Sequence, residues 1–252
     1  MRCCLVIPCY NEAKRLAINK FVEFIGNNPQ VDFLFVNDGS KDNTRQICLG
    51  LHSKFPTRIY LVDLKRNFGK AEAVRQGMLA MNVAQYDCVG FWDADLAVPL
   101  AELPKMLDIM KNKPHLCCLL AARVKLLGYE IIRKPVRHYL GRIFATAASL
   151  FLQMPVYDTQ CGAKLFKSEL ISFLFTDKFK TNWIFDVEIL LRFKKWYLQK
   201  RIDAADKIEN YINEMPLLHW QDVGGSKIKP MHFLLAFGDF LRLLPQRKNI
   251  KK

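Results

Sequence analysis

The sequence predicts an α/β protein built on a mostly parallel, Rossmann-like sheet with helices on both faces. Through the first half of the chain, apolar runs of strand length alternate with helix-length amphipathic segments. The runs lack polar alternation, which is typical of parallel strands that are buried on both faces. Right-handed crossovers between such units give a doubly wound layer. A length of 252 residues suits one domain of this class.

The predicted elements alternate regularly as far as residue 121. Strands are predicted over residues 3–7, 33–36, 59–64, 88–92 and 116–121, and helices over 12–25, 41–51, 69–82 and 100–110. The second half is less regular. It is predicted to contain amphipathic helices over 132–154, 185–197 and 231–244, and a late strand over 211–218.

Composition and motifs exclude several classes of protein. Lys and Arg outnumber Asp and Glu by 38 to 24, and this net charge of +14 indicates anionic partners. Neither G-x-G-x-x-G nor the P-loop pattern occurs, which argues against a nicotinamide-dependent dehydrogenase and a P-loop NTPase. The eight cysteines lie mostly in apolar runs without zinc-site spacing, and are predicted to be reduced core thiols of a cytoplasmic protein.

No transmembrane helix is expected from the hydropathy of the sequence. The apolar stretches over 144–156 and 233–244 are shorter than the ~20 residues that span a bilayer. A strand-like run follows Met1 directly, so no signal peptide is expected either.

Polar clusters follow four of the predicted strands. Because the carboxyl ends of parallel strands meet at one edge of the sheet, one ligand could contact all four clusters. Taken singly, each cluster is a weak signal: a turn with a helix cap explains residues 37–40 as well, a helix cap could explain residues 93–95, and Lys70 could be a solvated helix residue. Their coincidence at one edge indicates a binding site. The clusters are Pro8-Cys9-Tyr10-Asn11-Glu12, Asn37-Asp38-Gly39-Ser40, Arg66-Asn67-Phe68-Gly69-Lys70 and Asp93-Ala94-Asp95.

In this order and spacing, the clusters resemble those of the family 2 inverting glycosyltransferases, which have the GT-A fold. The resemblance implies a GT-A domain over residues 1–227, followed by an amphipathic, basic C-terminal segment over 228–252. Further segments are similar to those of dolichyl-phosphate glucosyltransferases and bacterial polyprenyl-phosphate glycosyltransferases. They are Asp158-Thr159-Gln160-Cys161-Gly162 with Lys164-Leu165-Phe166, Phe185-Asp186-Val187-Glu188, and Gly225-Ser226-Lys227.

The donor that this resemblance implies is a nucleotide-sugar, whose diphosphate carries concentrated negative charge. Mg²⁺ or Mn²⁺ held by carboxylates can neutralise that charge and stabilise the leaving group. The resemblance implies that Asp95 is the firmer metal ligand and that Asp93 contacts the ribose or the metal, and both are candidate catalytic residues. Ala97 stands where the related mannose synthases have a glutamine ligand. By the same likeness, the donor site comprises Pro8, Tyr10, Asn11, Glu12, Val36, Asp38, Lys70, Asp93, Ala94, Asp95 and Lys227.

The acceptor that the resemblance implies is a lipid monophosphate. Its second pKa is near ~6, so it is largely dianionic at pH 7 and needs cations rather than a general base. Arg123 and Arg137 match the family's acceptor-phosphate arginines, whereas Lys134 and Arg142 are predicted to be solvated residues of a basic helix face. Asp158 is a third candidate catalytic residue, which either orients an arginine or acts as a base.

The predicted function is transfer of a hexose, with inversion, onto a polyprenyl or dolichyl phosphate. Glucose from UDP-glucose is preferred, although an aspartate in the base pocket suits uracil and guanine alike. One alternative is a saccharide hydroxyl acceptor in cell-surface polysaccharide synthesis, which would need Asp158, Asp186 or Glu188 as a base. Another is a basic nucleic-acid-binding protein. The carboxylate pair and the lack of a binding motif disfavour it, so no nucleic-acid partner is expected.

Two apolar helices with basic flanks are predicted to contact the membrane. The segments 132–154 and 231–244 suit in-plane helices on an anionic leaflet, which would place the protein peripherally on the cytosolic face. Ordinary core-covering helices would explain both segments too, and a homodimer would also bury the second.

Overall fold

A seven-stranded sheet lies at the centre of the computed structural model, and helices cover both of its faces. The structure describes residues 1–125, 127–132, 135–200, 206–221 and 231–250. The strands are β1 (Cys3–Cys9), β2 (Val31–Asp38), β3 (Ile59–Leu64), β4 (Cys88–Trp92), β5 (Cys118–Ala122), β6 (Glu130–Ile132), β7 (Ala163–Lys167), β8 (Ile212–Pro216) and β9 (His219–Gln221). The helices are α1 (Ile18–Asn27), α2 (Thr44–Lys54), α3 (Lys70–Ala80), α4 (Leu103–Asn112), α5 (Pro135–Leu152), α6 (Ile171–Phe175), α7 (Phe185–Lys200) and α8 (Met231–Ile250).

The strand order β3-β2-β1-β4-β7-β5-β8 confirms the predicted doubly wound, mostly parallel sheet. β7 runs antiparallel to both of its neighbours, β4 and β5. The order changes direction where β1 pairs with β4. At such a point the turns that follow the two strands diverge and leave a crevice for ligands. β6 and β9 pair separately as a short parallel sheet.

Some elements differ from the sequence prediction. α1 begins at Ile18 rather than at residue 12, because the N–H groups of Arg15 and Leu16 first donate to the carbonyl of Glu12 in a turn, at 2.8 Å each. The short elements β6, β7, β9 and α6 are not predicted. In β7, the second residue is Lys164, and a lysine argues against a strand buried on both faces.

The core consists of two apolar clusters, one on each face of the sheet. Alternate residues of β1 enter different clusters, with Cys4 and Val6 on one face and Leu5 and Ile7 on the other. Both faces of the sheet are therefore buried, as predicted. All eight cysteines lie in the described residues, are buried and form no disulfide, which confirms the prediction of core thiols.

One face of α8 covers the core. Phe240 contacts the rings of Phe144 and Phe151 on α5, at centroid distances of 5.6 and 5.1 Å, and Leu243 is fully buried. This face of α8 is therefore core-covering, which was one of the interpretations of segment 231–244. The predicted limit between the two segments at residue 227 lies outside the described residues. Among the described helices, none is both long and apolar enough to cross a membrane.

Candidate active site

A cavity of about 840 Å³ opens at the carboxyl edge of the sheet. Two groups of residues line most of it. The turn side consists of residues 8–10, 12, 15, 38, 67–70, 73, 93–95, 97 and 98, in the segments that follow the parallel strands. The arginine side consists of residues 123, 141, 142, 144, 145, 157–160 and 220, which come from the second half of the fold. Residues 182–186, at the start of α7, complete the wall.

Asp93 follows β4 directly and is held closely on the turn side. Its Oδ1 lies 2.5 Å from Nζ of Lys70. Burial alone would lower the pKa of Lys70, but the carboxylates of Asp93 and Asp186 raise it, so this lysine is charged. The other face of the Asp93 carboxylate packs on Gly162, where a Cβ atom would lie 1.9 Å from Oδ2. Only a glycine at position 162 leaves room for Asp93 in this position.

Asp95 faces a second cation. Its Oδ1 accepts the N–H of Ala97 at 3.2 Å, and its Oδ2 lies 3.9 Å from Nη1 of Arg15. The Nε and Nη2 atoms of Arg15 donate to the two oxygens of Glu12 at 2.7 and 2.5 Å. Burial and the charge of Asp93 raise the pKa of Asp95. Each of the two aspartates thus lies beside a cation supplied by the chain itself.

The two carboxylates fit a divalent cation that prefers hard oxygen ligands. Among the described residues there is no group of three or more His, Cys, Asp and Glu side chains that could hold a metal. Mg²⁺ sites, however, commonly use one or two carboxylates together with waters and substrate phosphates. Asp93 and Asp95 therefore suit a cation whose remaining ligands come from a diphosphate and from water.

Asp38 lies beneath the turn that leads into α3. Its carboxylate oxygens accept the N–H groups of Phe68 and Gly69 at 2.8 and 2.9 Å, so it fixes this turn as well as lining the cavity. Burial raises the pKa of Asp38, and the two backbone hydrogen bonds offset part of that effect. Gly39 has φ +62° and its missing Cβ would lie 2.3 Å from the carbonyl carbon of Arg66, so the two turns are in direct contact.

The structure brings most, but not all, of the predicted donor residues to the cavity. Val36 is fully buried in the core of the sheet and does not line it. Asn11 organises the neighbouring turn instead, since its N–H donates to Ser40 Oγ and its Oδ1 accepts the N–H of Lys41. Lys227 lies outside the described residues. The residues that do line the cavity are Pro8, Tyr10, Glu12, Asp38, Lys70, Asp93, Ala94 and Asp95.

On the arginine side, Arg123 and Asp158 form a closely held ion pair. Nε and Nη2 of Arg123 donate to the two carboxylate oxygens at 2.6 and 2.7 Å, and its backbone N–H donates to Oδ2 at 3.0 Å. The guanidinium also lies 5.3 Å from the ring centroid of Trp220. Burial alone would lower the pKa of Arg123, but the Asp158 carboxylate raises it. Asp158 thus holds an arginine in a fixed orientation.

Arg142 lies on the cavity wall and not on a solvated helix face, which corrects the sequence prediction. It is partly buried, its guanidinium lies 3.7 Å from the ring centroid of Tyr157, and its Nη1 donates to the Tyr157 carbonyl at 3.1 Å. Charge and periodicity could not reveal this contact, because it depends on how α5 crosses the segment before β7. Arg137 also lies in α5, but its side chain and all of Lys134 are outside the described residues.

Glu214, on β8, fixes the backbone between the two arginine contacts. Its carboxylate oxygens accept the N–H groups of Tyr157 and Asp158 at 2.7 Å each. Burial raises the pKa of Glu214, and the charge of Asp158 raises it further. A partly buried carboxylate from a distant strand thus positions the two residues that bind Arg123 and Arg142.

Asp186 and Glu188 both form structural ion pairs. The sequence had predicted such a pair for at least one of them. Asp186 accepts from Nζ of the fully buried Lys164 at 2.6 Å, and Glu188 pairs with Arg192 at 2.9 Å. Asp186 also lines the cavity, whereas Glu188 does not.

Sequence reasoning missed several residues of the site. Arg15 follows Glu12 by three positions, and this spacing permits the two side chains to pair. The spacing was the signal from which Arg15 could have been predicted as a site residue. For Trp183 and Phe144, which line the cavity, the sequence offers nothing that separates wall residues from core residues.

Known proteins are similar to this chain over most of its length. The family model described as Glycosyl transferase family 2 matches residues 4–175. The dolichyl-phosphate beta-glucosyltransferase of Saccharomyces cerevisiae is 32% identical over 247 residues, which cover 89% of this chain and 68% of that protein. A dolichyl-phosphate beta-glucosyltransferase of Trichomonas vaginalis is 30% identical over 236 residues, which cover 89% of this chain and 65% of that protein. The chain thus spans about two thirds of the length of these relatives.

A solved structure has the same fold. Glucosyl-3-phosphoglycerate synthase from Mycobacterium tuberculosis, in complex with Mn²⁺ and UDP-glucose, matches with a TM-score of 0.65 at 16% sequence identity, over 98% of this chain and 79% of that one. This likeness confirms the predicted GT-A fold. With the family model matched over residues 4–175 and the yeast relative 32% identical, the chain belongs to glycosyl transferase family 2.

Proposed function

We propose that this chain transfers glucose from UDP-glucose to a polyprenyl or dolichyl phosphate, with inversion at the anomeric carbon. The observation that carries the proposal is a single cavity that contains both a carboxylate pair and two arginines. The carboxylates suit a metal-bound diphosphate, and the arginine forks suit a phosphate monoester. The names of the yeast and Trichomonas relatives support glucose as the sugar and dolichyl phosphate as the acceptor.

The turn side is proposed to bind the donor. Asp93 and Asp95 would hold Mg²⁺ or Mn²⁺, which supplies positive charge to the departing diphosphate. Lys70, now 2.5 Å from Asp93, would donate to a phosphate oxygen, and Lys227 is proposed as a second phosphate contact. Pro8 and Tyr10 would flank the base and the ribose.

The arginine side is proposed to bind the acceptor phosphate. A phosphate monoester is already ionised at neutral pH, so its oxygen can attack the anomeric carbon without a general base while the bond to the diphosphate breaks. Both oxygens of Asp158 accept hydrogen bonds from Arg123. We therefore assign Asp158 the role of orienting this arginine. A saccharide hydroxyl, which needs a base, is the weaker alternative.

A peripheral contact with the cytosolic leaflet is proposed for α5. Its exposed side includes Tyr139, Ile143 and Leu150, whose exposed fractions are 69%, 59% and 71%, and Leu241 of α8 is 68% exposed. Flotation with anionic vesicles is expected for the parent chain and should be weakened several-fold by I143E/L150E. Unchanged flotation of this variant would rule out α5 as the membrane contact. If the parent chain forms a concentration-dependent dimer that I143E/L150E disrupts, the exposed side of α5 is a dimer interface instead.

The product of the reaction tests the proposed function. With radiolabelled UDP-glucose, Mn²⁺ and dolichyl phosphate, label is expected in a chloroform-soluble, acid-labile lipid. Asp95→Asn is expected to lower turnover by about 100-fold or more, because it removes a charged metal ligand. Asp108→Asn, at an exposed position of α4, is the matched control and should retain turnover. Label that enters only saccharide, or that comes only from a GDP-sugar, would contradict the proposal.

A further inference from the structure

We propose that Arg142 supplies the net positive charge that binds the phosphate of the acceptor, while Arg123 acts mainly as a rigid, charge-balanced donor of hydrogen bonds. The inference rests on the proposed function. The sequence predicted Arg123 and Arg137 as the arginines that bind the acceptor phosphate. The inference assigns the charge-dependent part of this binding to a different residue, Arg142.

Arg123 has little positive charge left to offer. Its guanidinium donates to both oxygens of Asp158 and is stacked on Trp220. The pair is mostly buried, since the exposed fractions of the side chains are 17% for Arg123 and 10% for Asp158. The two side chains together therefore carry no net charge. Two charges on a phosphate dianion require a further cation nearby.

Among the described residues of the arginine side, Arg142 is such a cation. Its partners are the ring and the carbonyl oxygen of Tyr157, both of which are uncharged. Among the described residues, no carboxylate lies within 4.0 Å of its guanidinium. The positive charge of Arg142 is therefore held in place without being neutralised, and the guanidinium keeps further N–H donors for a ligand.

The backbone brings the two guanidinium groups to the same part of the cavity wall. Arg123 is bound to Asp158 and Arg142 to Tyr157, which are consecutive residues, and Glu214 holds the N–H groups of both. Next to Arg142, Gly141 also lines the cavity, and an added Cβ there would meet nothing within 4 Å. The cavity is therefore open beside the backbone of the residue that precedes Arg142.

Steady-state kinetics with a soluble acceptor test the inference. The probe is citronellyl phosphate, a two-isoprene monoester, with UDP-glucose and Mn²⁺. Arg142→Gln is expected to raise the KM for citronellyl phosphate by about 10- to 100-fold, as loss of a charged hydrogen bond would. The KM for UDP-glucose should stay within about twofold, because that ligand binds on the turn side. Arg142→Lys keeps the charge and should recover part of the loss.

A matched control variant loses an arginine charge outside the cavity. Arg45, on α2, pairs with Asp63 at 2.5 Å and lies outside the cavity lining. Arg45→Gln is therefore expected to leave both KM values unchanged. Thermal unfolding of the Arg142 variants within a few degrees of the parent would show that the fold is intact.

The outcomes separate the inference from the proposed function. If the parent chain does not transfer glucose to citronellyl or dolichyl phosphate, the proposed function fails. If the parent chain is active and Arg142→Gln keeps the acceptor KM of the parent, the inference alone is wrong. Equal rises in both KM values would also overturn it, since they would indicate a general disturbance of the cavity.

Discussion

The turn side and the arginine side of the cavity balance their charges differently. On the turn side, Asp93 lies beside Lys70 and Asp95 lies beside Arg15. On the arginine side, Asp158 neutralises Arg123, but Arg142 stacks on an uncharged tyrosine. Among the described residues, however, Glu12, Asp38, Asp93 and Asp95 line the turn side against Arg15 and Lys70, so this side carries a surplus of negative charge that suits a divalent cation with its diphosphate. The arginine side, in contrast, holds in Arg142 a cation with no described carboxylate beside it.

The two sides also differ in what positions their side chains. The turn side depends on backbone geometry, because parallel strands deliver their carboxyl ends to one edge. There, the N–H of Asp93 donates to the carbonyl of Gly162 at 2.9 Å, and Asp38 binds two backbone N–H groups. The arginine side depends on side chains from separate elements, such as Glu214 and Trp220. An added side-chain atom that occupies space next to the backbone should therefore reduce activity most on the turn side.

Replacement of Gly162 by alanine should give the largest effect. The new Cβ would lie 1.9 Å from Oδ2 and 2.2 Å from Cγ of Asp93, so this carboxylate would have to leave its present position. We expect turnover to fall by about 100-fold and the affinity for Mn²⁺ in the presence of UDP to fall by about 10-fold or more. Kinetics and the electron paramagnetic resonance signal of Mn²⁺ measure the two effects.

Two other glycines sharpen this test. At Gly26, in α1, an added Cβ would meet nothing within 4 Å, so Gly26→Ala is the control for the substitution itself. Gly141, on the arginine side, has equally open surroundings, and Gly141→Ala should leave the affinity for Mn²⁺ unchanged. A Gly162→Ala variant that binds Mn²⁺ as tightly as Gly141→Ala would show that the packing of Asp93 does not position a metal ligand.

The contrast between the two sides also explains which parts of the fold and of the site could be predicted from the sequence. The strands β1 to β5 and the turn clusters were predicted, because unbroken apolar runs and the polar residues that follow them are local signals. β7 was missed, because the burial of Lys164 depends on Asp186, 22 positions away. The prediction for Arg142 was wrong for a similar reason, since its contact with Tyr157 spans 15 positions.

Val36 illustrates a limit of family likeness. The resemblance implied a donor contact for Val36, but its side chain points into the core and packs against α3, where a Cβ on Gly77 would lie 2.8 Å from Val36 Cγ2. Family likeness identifies the strand end that forms a site, whereas the alternation of side chains along that strand decides which residues reach it.

The smallest expected effect is a difference in the pH dependence of stability between the two sides. Beside the turn side, hydrogen bonds from Arg75 lower the pKa of Glu72, whereas burial raises the pKa of Glu214 beside the arginine side. Stability from Glu72 is present above the ordinary glutamate pKa of about 4.3 and is lost as the pH falls through its lowered value. Ionised Glu214 instead costs stability, and this cost disappears as the pH falls through its raised value. In urea unfolding from pH 7 to pH 3, the destabilisation by Glu72→Gln should therefore shrink and that by Glu214→Gln should grow. Parallel trends in the two variants would contradict this difference between the two sides.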